Sequence, residues 1–205
     1  MNKILDFLVR AEHKIYITRK RMRLKNKTMT VFSSNCNGGY LLHDLGCPFN
    51  SPTVNMAFYP EEYFKFLSEP EKYLESELEN THLMEGQFWI GKLNDITVRV
   101  GHYNSFDEAQ EAWKRRAKRV NMDNLYIIMT DKDGCTYEHI KQFEELHYKN
   151  KVIFTHKKYD EFSSAYYIPG FEEDGEVGIL SDWKPQFLKR RWLDDFDCVK
   201  FFNRR

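Results

Sequence analysis

Three groups of side chains in this chain have the types and spacing to do chemistry. The first is Cys36, His43 and Asp44, within Ser33-Ser34-Asn35-Cys36-Asn37-Gly38-Gly39-Tyr40-Leu41-Leu42-His43-Asp44. A thiol where a strand hands over to a helix can have its pKa lowered by the helix dipole. His43 is then a candidate base and Asp44 a candidate group to orient it, the arrangement that nucleophilic catalysis needs. His102 is a second candidate partner for the thiol. The plainer reading is a small buried cysteine and a hydrogen-bonded histidine, since free cysteines are commonly buried and inert. The second group is Asp131 and Asp133, which follow an apolar run. Two such carboxylates can hold Mg²⁺ or Mn²⁺ against phosphate oxygens, as of a nucleotide sugar. An Asp- and Gly-containing turn bonded to its own backbone is the alternative. The third group is Asn35, Asn37, Asn50, Ser51 and Asn55, with Gly38 and Gly39. Amides offer both donors and an acceptor and suit a polyhydroxyl ligand such as a sugar. They are also ordinary turn residues.

These groups need elements to position them. Thr28–Ser33 is β-branched and aromatic and reads as a strand. Gly38 and Gly39 allow a close backbone approach, and a short helix over 40–45 would be closed by Gly46. The spacing is not that of a nucleotide phosphate loop. Pro60 and Pro70 open two short helices, each followed by acids that suit the positive end of the dipole. Residues 87–92 and 96–100 form a hairpin. Ser105 and Glu108 make a capping box for a helix reaching about Val120. Leu125–Met129 is continuously apolar, as in a parallel strand buried on both faces. A helix capped by Thr136 and a strand over 151–155 complete a strand–helix–strand crossover. A last helix is expected from Asp182 to Trp192. Open α/β sheets bind ligands at the carboxyl ends of their strands, where the first and second groups lie.

The chain therefore reads as α/β: one domain over 28–205 with a mixed, mostly parallel sheet flanked by helices in Rossmann-like layering, plus a β-hairpin. Residues 1–27 form a basic amphipathic helix ahead of it, with Ile4, Leu5, Leu8, Ile15 and Met22 as its apolar stripe. At 205 residues there is room for one full core, and 16 Phe, 12 Tyr and 4 Trp supply the apolar surface that a folded chain buries and a disordered one lacks. No apolar run is long enough to span a bilayer, and no signal peptide is evident. Cys36, Cys47, Cys135 and Cys198 show no paired spacing and read as free cytoplasmic thiols. Net charge is zero but unevenly spread. Residues 1–27 carry nine Lys and Arg against two acids, and residues 184–205 carry seven against three. That pattern argues against a nucleic-acid-binding face and leaves room for peripheral contact of both termini with an anionic inner leaflet. The plainer reading of the N-terminal helix is a basic solvated face on a helix packed against its own domain.

Two short strings resemble known motifs. Ile127-Ile128-Met129-Thr130-Asp131-Lys132-Asp133-Gly134 is similar to the Asp-x-Asp metal motif of nucleotide-sugar glycosyltransferases. It is also similar to the first motif of aspartate-nucleophile phosphatases, with Thr155 imitating the second. At larger scale, Ser33–Gly39, His43-Asp44-Leu45-Gly46 and Phe49–Asn55 resemble a bacterial family of unknown function. So do His102-Tyr103, Trp113–Arg116, Ile128–Cys135 and Asn150–Thr155. Members of that family are often labelled exopolysaccharide or capsule biosynthesis proteins. The resemblance spans about residues 28–190 and implies an α/β fold and a cytoplasmic role near surface-glycan assembly, with no settled reaction. Three expectations follow. One is a transferase on a sugar or lipid-linked sugar, with Cys36, His43 and His102 catalytic and Asp131 and Asp133 on a metal–phosphate donor. The second is a non-catalytic glycan-binding or assembly protein. The third is a phosphatase with Asp131 as nucleophile.

Overall fold

A computed structural model of the chain describes residues 3–185 and 190–204, with side chains from residue 7 onward. The chain begins with α1 (Lys3–Arg23), β1 (Thr30–Ser33) and α2 (Asn37–Leu45). A second group follows: β2 (Met56–Ala57), α3 (Pro60–Ser68), α4 (Pro70–Leu74), β3 (Glu79–Glu85), β4 (Phe88–Leu93), β5 (Ile96–Val100) and α5 (Phe106–Ala117). The chain ends with β6 (Leu125–Thr130), α6 (Tyr137–Glu145), β7 (Lys151–Thr155), β8 (Ala165–Tyr167) and α7 (Cys198–Phe202). Among the described residues no helix is long and apolar enough to cross a membrane. All four cysteines are free.

The fold is α/β. Four parallel strands in the order β1-β6-β7-β8 form one sheet. All six residues of β6 are buried. Because side chains alternate across a strand, its two faces feed two cores. Ile127, Met129, Phe32 and Ile153 pack with α3, α5 and β5. Tyr126, Ile128, Val31, Val152 and Phe154 pack with α2, α7 and the segment that precedes α7. The expected β6–α6–β7 crossover is present, with Thr136 capping α6 through a box closed by His139 rather than an acid. Ser105 caps α5 as expected, accepting from the Glu108 N–H, while the Glu108 carboxylate reaches back to the Asn104 amide groups.

The hairpin does not join that sheet. It belongs to a separate antiparallel sheet, β2-β5-β4-β3, inserted between α2 and α5. Its edge strand β3 has no apolar alternation and is largely exposed, so periodicity could not reveal it. The last expected helix also differs. Trp183 and Arg191 pair as an antiparallel bridge, and Lys184 N–H bonds to the Arg190 carbonyl at 2.7 Å. Residues 186–189 lie outside the described residues. Pro185 explains the extended course before them, because it disfavours helical backbone at Lys184.

A buried ionic group fastens the ends of the chain together. Asp194 bonds to Arg191 at 2.9 Å and lies 3.2 Å from His13 Nε2 of α1, and Arg191 also binds Asp44 of α2. Burial disfavours charge on Asp194, but the nearby His13 ring and the hydrogen bonds from Arg191 outweigh it and hold the carboxyl well below its usual range. A depressed folded-state pKa contributes stability above the unfolded value and loses it as pH falls. Asp194→Asn is therefore expected to cost about 3 kcal/mol at neutral pH. In urea unfolding across a pH series, the difference from wild type should narrow as pH drops below about 4.

Candidate functional site

The hand-over from β1 to α2 is built by close packing. A Cβ on Gly38 would sit 2.7 Å from the Ser33 Cβ, so only glycine lets the helix start against the strand end. The Gly38 N–H bonds to Ser33 Oγ at 3.1 Å. Gly46, at φ 68°, closes α2 with its N–H on the Leu42 and His43 carbonyls. Cys36, Gly39, Tyr40 and His43 then recur at helical intervals along one face. Opposite them stand Phe49, Val54, Asn55 and His102, and together these eight residues line a cleft of ≈ 290 Å³. The cleft lies beside the carboxyl end of β1, the position where open α/β sheets bind ligands. It gathers all three residues expected to be catalytic, along with Gly39 and Asn55.

The cleft's geometry revises the thiol's role. Cys36 and His43 are two helical turns apart, about 10 Å along the axis, so they flank the cleft rather than bond to each other. Cys36 is the N-cap residue of α2, yet burial pushes its thiol pKa up. Desolvation of the thiolate opposes the lowering expected from the helix dipole. His43 is exposed, with Nδ1 3.6 Å from Asp44 Oδ1. Asp44 in turn is held by Arg191.

Asn55 and His102 form the other rim under strain. Both have left-handed backbone, φ 66° and 59°. The Gly101 N–H bonds to the Asn55 carbonyl at 3.0 Å, and Asn55 Nδ2 bonds to the His102 carbonyl at 3.5 Å. Strain of this kind persists only where surrounding structure enforces it, and it clusters at functional sites.

Arg116 supports that wall. It is buried on the inner face of α5, and its Nη1 bonds to Tyr103 Oη at 2.7 Å and to the Val54 carbonyl at 3.3 Å. Tyr103 Oη bonds to the same carbonyl at 3.1 Å, and the guanidinium lies 5.5 Å from the centre of the Phe49 ring. These partners are neutral, so the guanidinium positions the wall by donating hydrogen bonds and by stacking. In the sequence Arg116 falls four and seven residues after Ala112 and Ala109 and three after Trp113, on the apolar side of the helix, and it has no expected role. A lone arginine in an apolar stripe was the available signal.

Other expected site residues hold the fold around the cleft. Asn35 Nδ2 bonds to Thr130 Oγ1 at 2.8 Å, and its Oδ1 accepts from the Asn37 N–H, so it ties the ends of β1 and β6. Asn37 is buried. Ser51 is buried and bonds to Thr53 Oγ1, which accepts from the Ser33 N–H. Asn50 is half-buried and does not line the cleft.

Asp131 and Asp133 are divided between separate partners. Asp131 is 2% exposed. Its Oδ2 accepts from the His156 N–H at 2.7 Å and meets Nδ1 of the same residue at 2.6 Å, while Oδ1 accepts from the Val177 N–H at 2.8 Å. Asp133 pairs with Arg99 at 2.8 Å. Among the described residues no three His, Cys, Asp or Glu side chains are grouped to hold a metal ion. His156, unremarked in the sequence, is thus the partner that makes Asp131 a clamp between loops.

The model of the domain of unknown function DUF1919 matches residues 8–203. The chain belongs to the DUF1919 family. A relative from Haemophilus influenzae (strain ATCC 51907 / DSM 11121 / KW20 / Rd), described as an uncharacterized protein, is 43% identical over 196 residues. That alignment covers 95% of this chain and 94% of the relative.

Two measurements check the DUF1919 cleft. Alkylation of Cys36 by iodoacetamide, followed by mass spectrometry, should be slow near pH 7 and still accelerating at about pH 9. A half-maximal rate below about pH 8 would restore the activated-nucleophile reading. Arg116→Met strips the Tyr103 hydroxyl of its donor and leaves the Val54 carbonyl with Tyr103 alone, and should lower stability by about 1–3 kcal/mol in denaturant unfolding.

Proposed function

We propose that this DUF1919 protein binds a sugar or lipid-linked sugar in the cleft between α2 and the His102 turn. It acts in assembly of exopolysaccharide or capsule, at the cytoplasmic face of the membrane. The observation that carries the reading is convergence. Two imidazoles, an amide, a thiol and two aromatic rings, drawn from residues 36–55 and from the distant His102, line one concave site. A mostly apolar cleft with a few convergent polar groups is the usual form of a small-ligand site. Tyr40 and Phe49 offer apolar faces, while Asn55, His43 and His102 offer donors and acceptors to hydroxyls.

A transferase remains the second reading, favoured by the exposed imidazoles on both rims. Imidazole is well suited to take a proton from an acceptor hydroxyl as a sugar–phosphate bond breaks. A metal-held nucleotide-sugar donor at Asp131 and Asp133 has less support, because those carboxylates already have protein partners. The phosphatase reading has the same weakness. Its nucleophile would be a carboxylate whose two oxygens are both engaged inside the protein.

Isothermal titration and thermal unfolding with free sugars, sugar phosphates, nucleotide sugars and a short-chain polyprenyl-phosphate sugar test the proposal. A true ligand at ~100 times its Kd should stabilise the fold by ~2.7 kcal/mol. His102→Gly should abolish that shift while leaving unliganded stability unchanged or raised by up to about 1 kcal/mol, because glycine relieves the left-handed strain. Failure of every sugar class to bind wild type would overturn the reading.

A further inference from the structure

We infer that the outward face of α1 is a docking surface for an anionic lipid bilayer. The helix carries two apolar stripes. Val9 and Ile17 are buried against the domain, with Lys20 on the same side and Leu24 buried just past the helix end. Tyr16 Oη bonds to the Asp194 carbonyl at 2.9 Å and Glu12 pairs with Arg190 at 2.8 Å, so this face is fastened. The opposite stripe is in solvent. Phe7 is 70% exposed, Leu8 56%, Ile15 55% and Met22 75%. Leu8, Ile15 and Met22 recur every seven residues, which places them on one line of the helix. Ile4 and Leu5 of the expected stripe lie outside the described side chains.

Charge decides what covers this line. At 100° per residue, Arg10, Lys14 and Arg21 run along one edge of the exposed stripe, and Arg19 and Arg23, with the Arg190-paired Glu12 between them, along the other. Arg21 also donates to the Asp44 and His43 carbonyls, and Arg23 lies 3.9 Å from Asp197. All five are exposed. An apolar line bordered on both sides by cations is the form of a helix lying in a bilayer interface. Its apolar side chains enter the acyl boundary, and its long basic side chains reach out to the headgroups. A second copy of the chain fits poorly, because face-to-face pairing in either direction sets basic edge against basic edge. The positive charge also continues past the end of α1. Asn203 Oδ1 accepts from the Lys25 and Asn26 N–H groups, bringing the two ends of the chain together. The hollow beside them is lined in part by Lys25, Lys27, Lys149 and Arg204. Residues 28–183 carry 15 basic against 26 acidic residues, so an anionic surface would repel the body and attract this side. The inference does not depend on what occupies the cleft.

Flotation of the full chain with lipid vesicles tests it. The protein should float with phosphatidylcholine vesicles containing about 30% phosphatidylglycerol, remain behind with phosphatidylcholine alone, and release as salt is raised. The double variant Ile15→Glu/Met22→Glu changes exposed positions only. It should lose flotation while keeping its unfolding midpoint. Lys14→Gln and Arg19→Gln should each weaken partitioning about fivefold. Three results would overturn the inference. They are no flotation of wild type, equal flotation on neutral vesicles that the variants do not alter, or a dimer in sedimentation analysis that Ile15→Glu splits.

Discussion

Burial of β6 on both faces is the constraint from which the rest of the structure follows. Its side chains alternate into two cores, so each face must be covered by a separate layer. Burying each large apolar side chain contributes about 1.5–3 kcal/mol, and the strand has no polar face to offer water. Its carboxyl end then has to return the chain to the surface. Thr130 and Asp131 make that exit, the first bonded to Asn35 and the second to His156 and Val177. Both polar residues are buried, and both have partners, as burial requires. The loops after β1, β6 and β7 are thereby tied to one another at the same end of the sheet.

The cleft is a consequence of that tying together with one inserted unit. α2 starts tightly because Gly38 admits it against Ser33, and this sets one wall. The antiparallel sheet enters between α2 and α5, and its two ends, near Asn55 and Gly101, are bonded to each other. The second wall is therefore held by β2–β5 pairing and by Arg116 rather than by the parallel sheet. Burial in this close packing pushes the Cys36 thiol pKa up, which shifts the chemical weight of the site toward its imidazoles and amide.

α1 shows the same competition between local pattern and long-range contact. Its inner face is anchored by His13, Tyr16 and Glu12 to residues 190–194, nearly the whole chain length away. That anchorage leaves Leu8, Ile15 and Met22 facing outward. A helix with two apolar stripes can bury either one, and here the distant ionic group centred on Asp194 selects between them.

Features that depend on neighbours in the chain were legible in the sequence. β6 and β7, the Gly46 stop, the Ser105 and Thr136 caps and the proline-led starts of α3 and α4 all follow from periodicity, dihedral preference and local hydrogen bonding. The placement of Cys36 and His43 beside a strand end was legible too, because topology puts ligand sites there, whereas His102 reaches the cleft only through the inserted antiparallel sheet. The tertiary structure alone decided which polar groups are spent on the fold. Asp131 and Asp133 read as a pair because they are two residues apart, but His156, Val177 and Arg99 claim them from far along the chain. The separate antiparallel sheet, the polar edge strand β3, the supporting role of Arg116 and the outward stripe of α1 have the same origin. Each is set by contacts between segments distant in sequence, and a one-dimensional pattern does not carry that information.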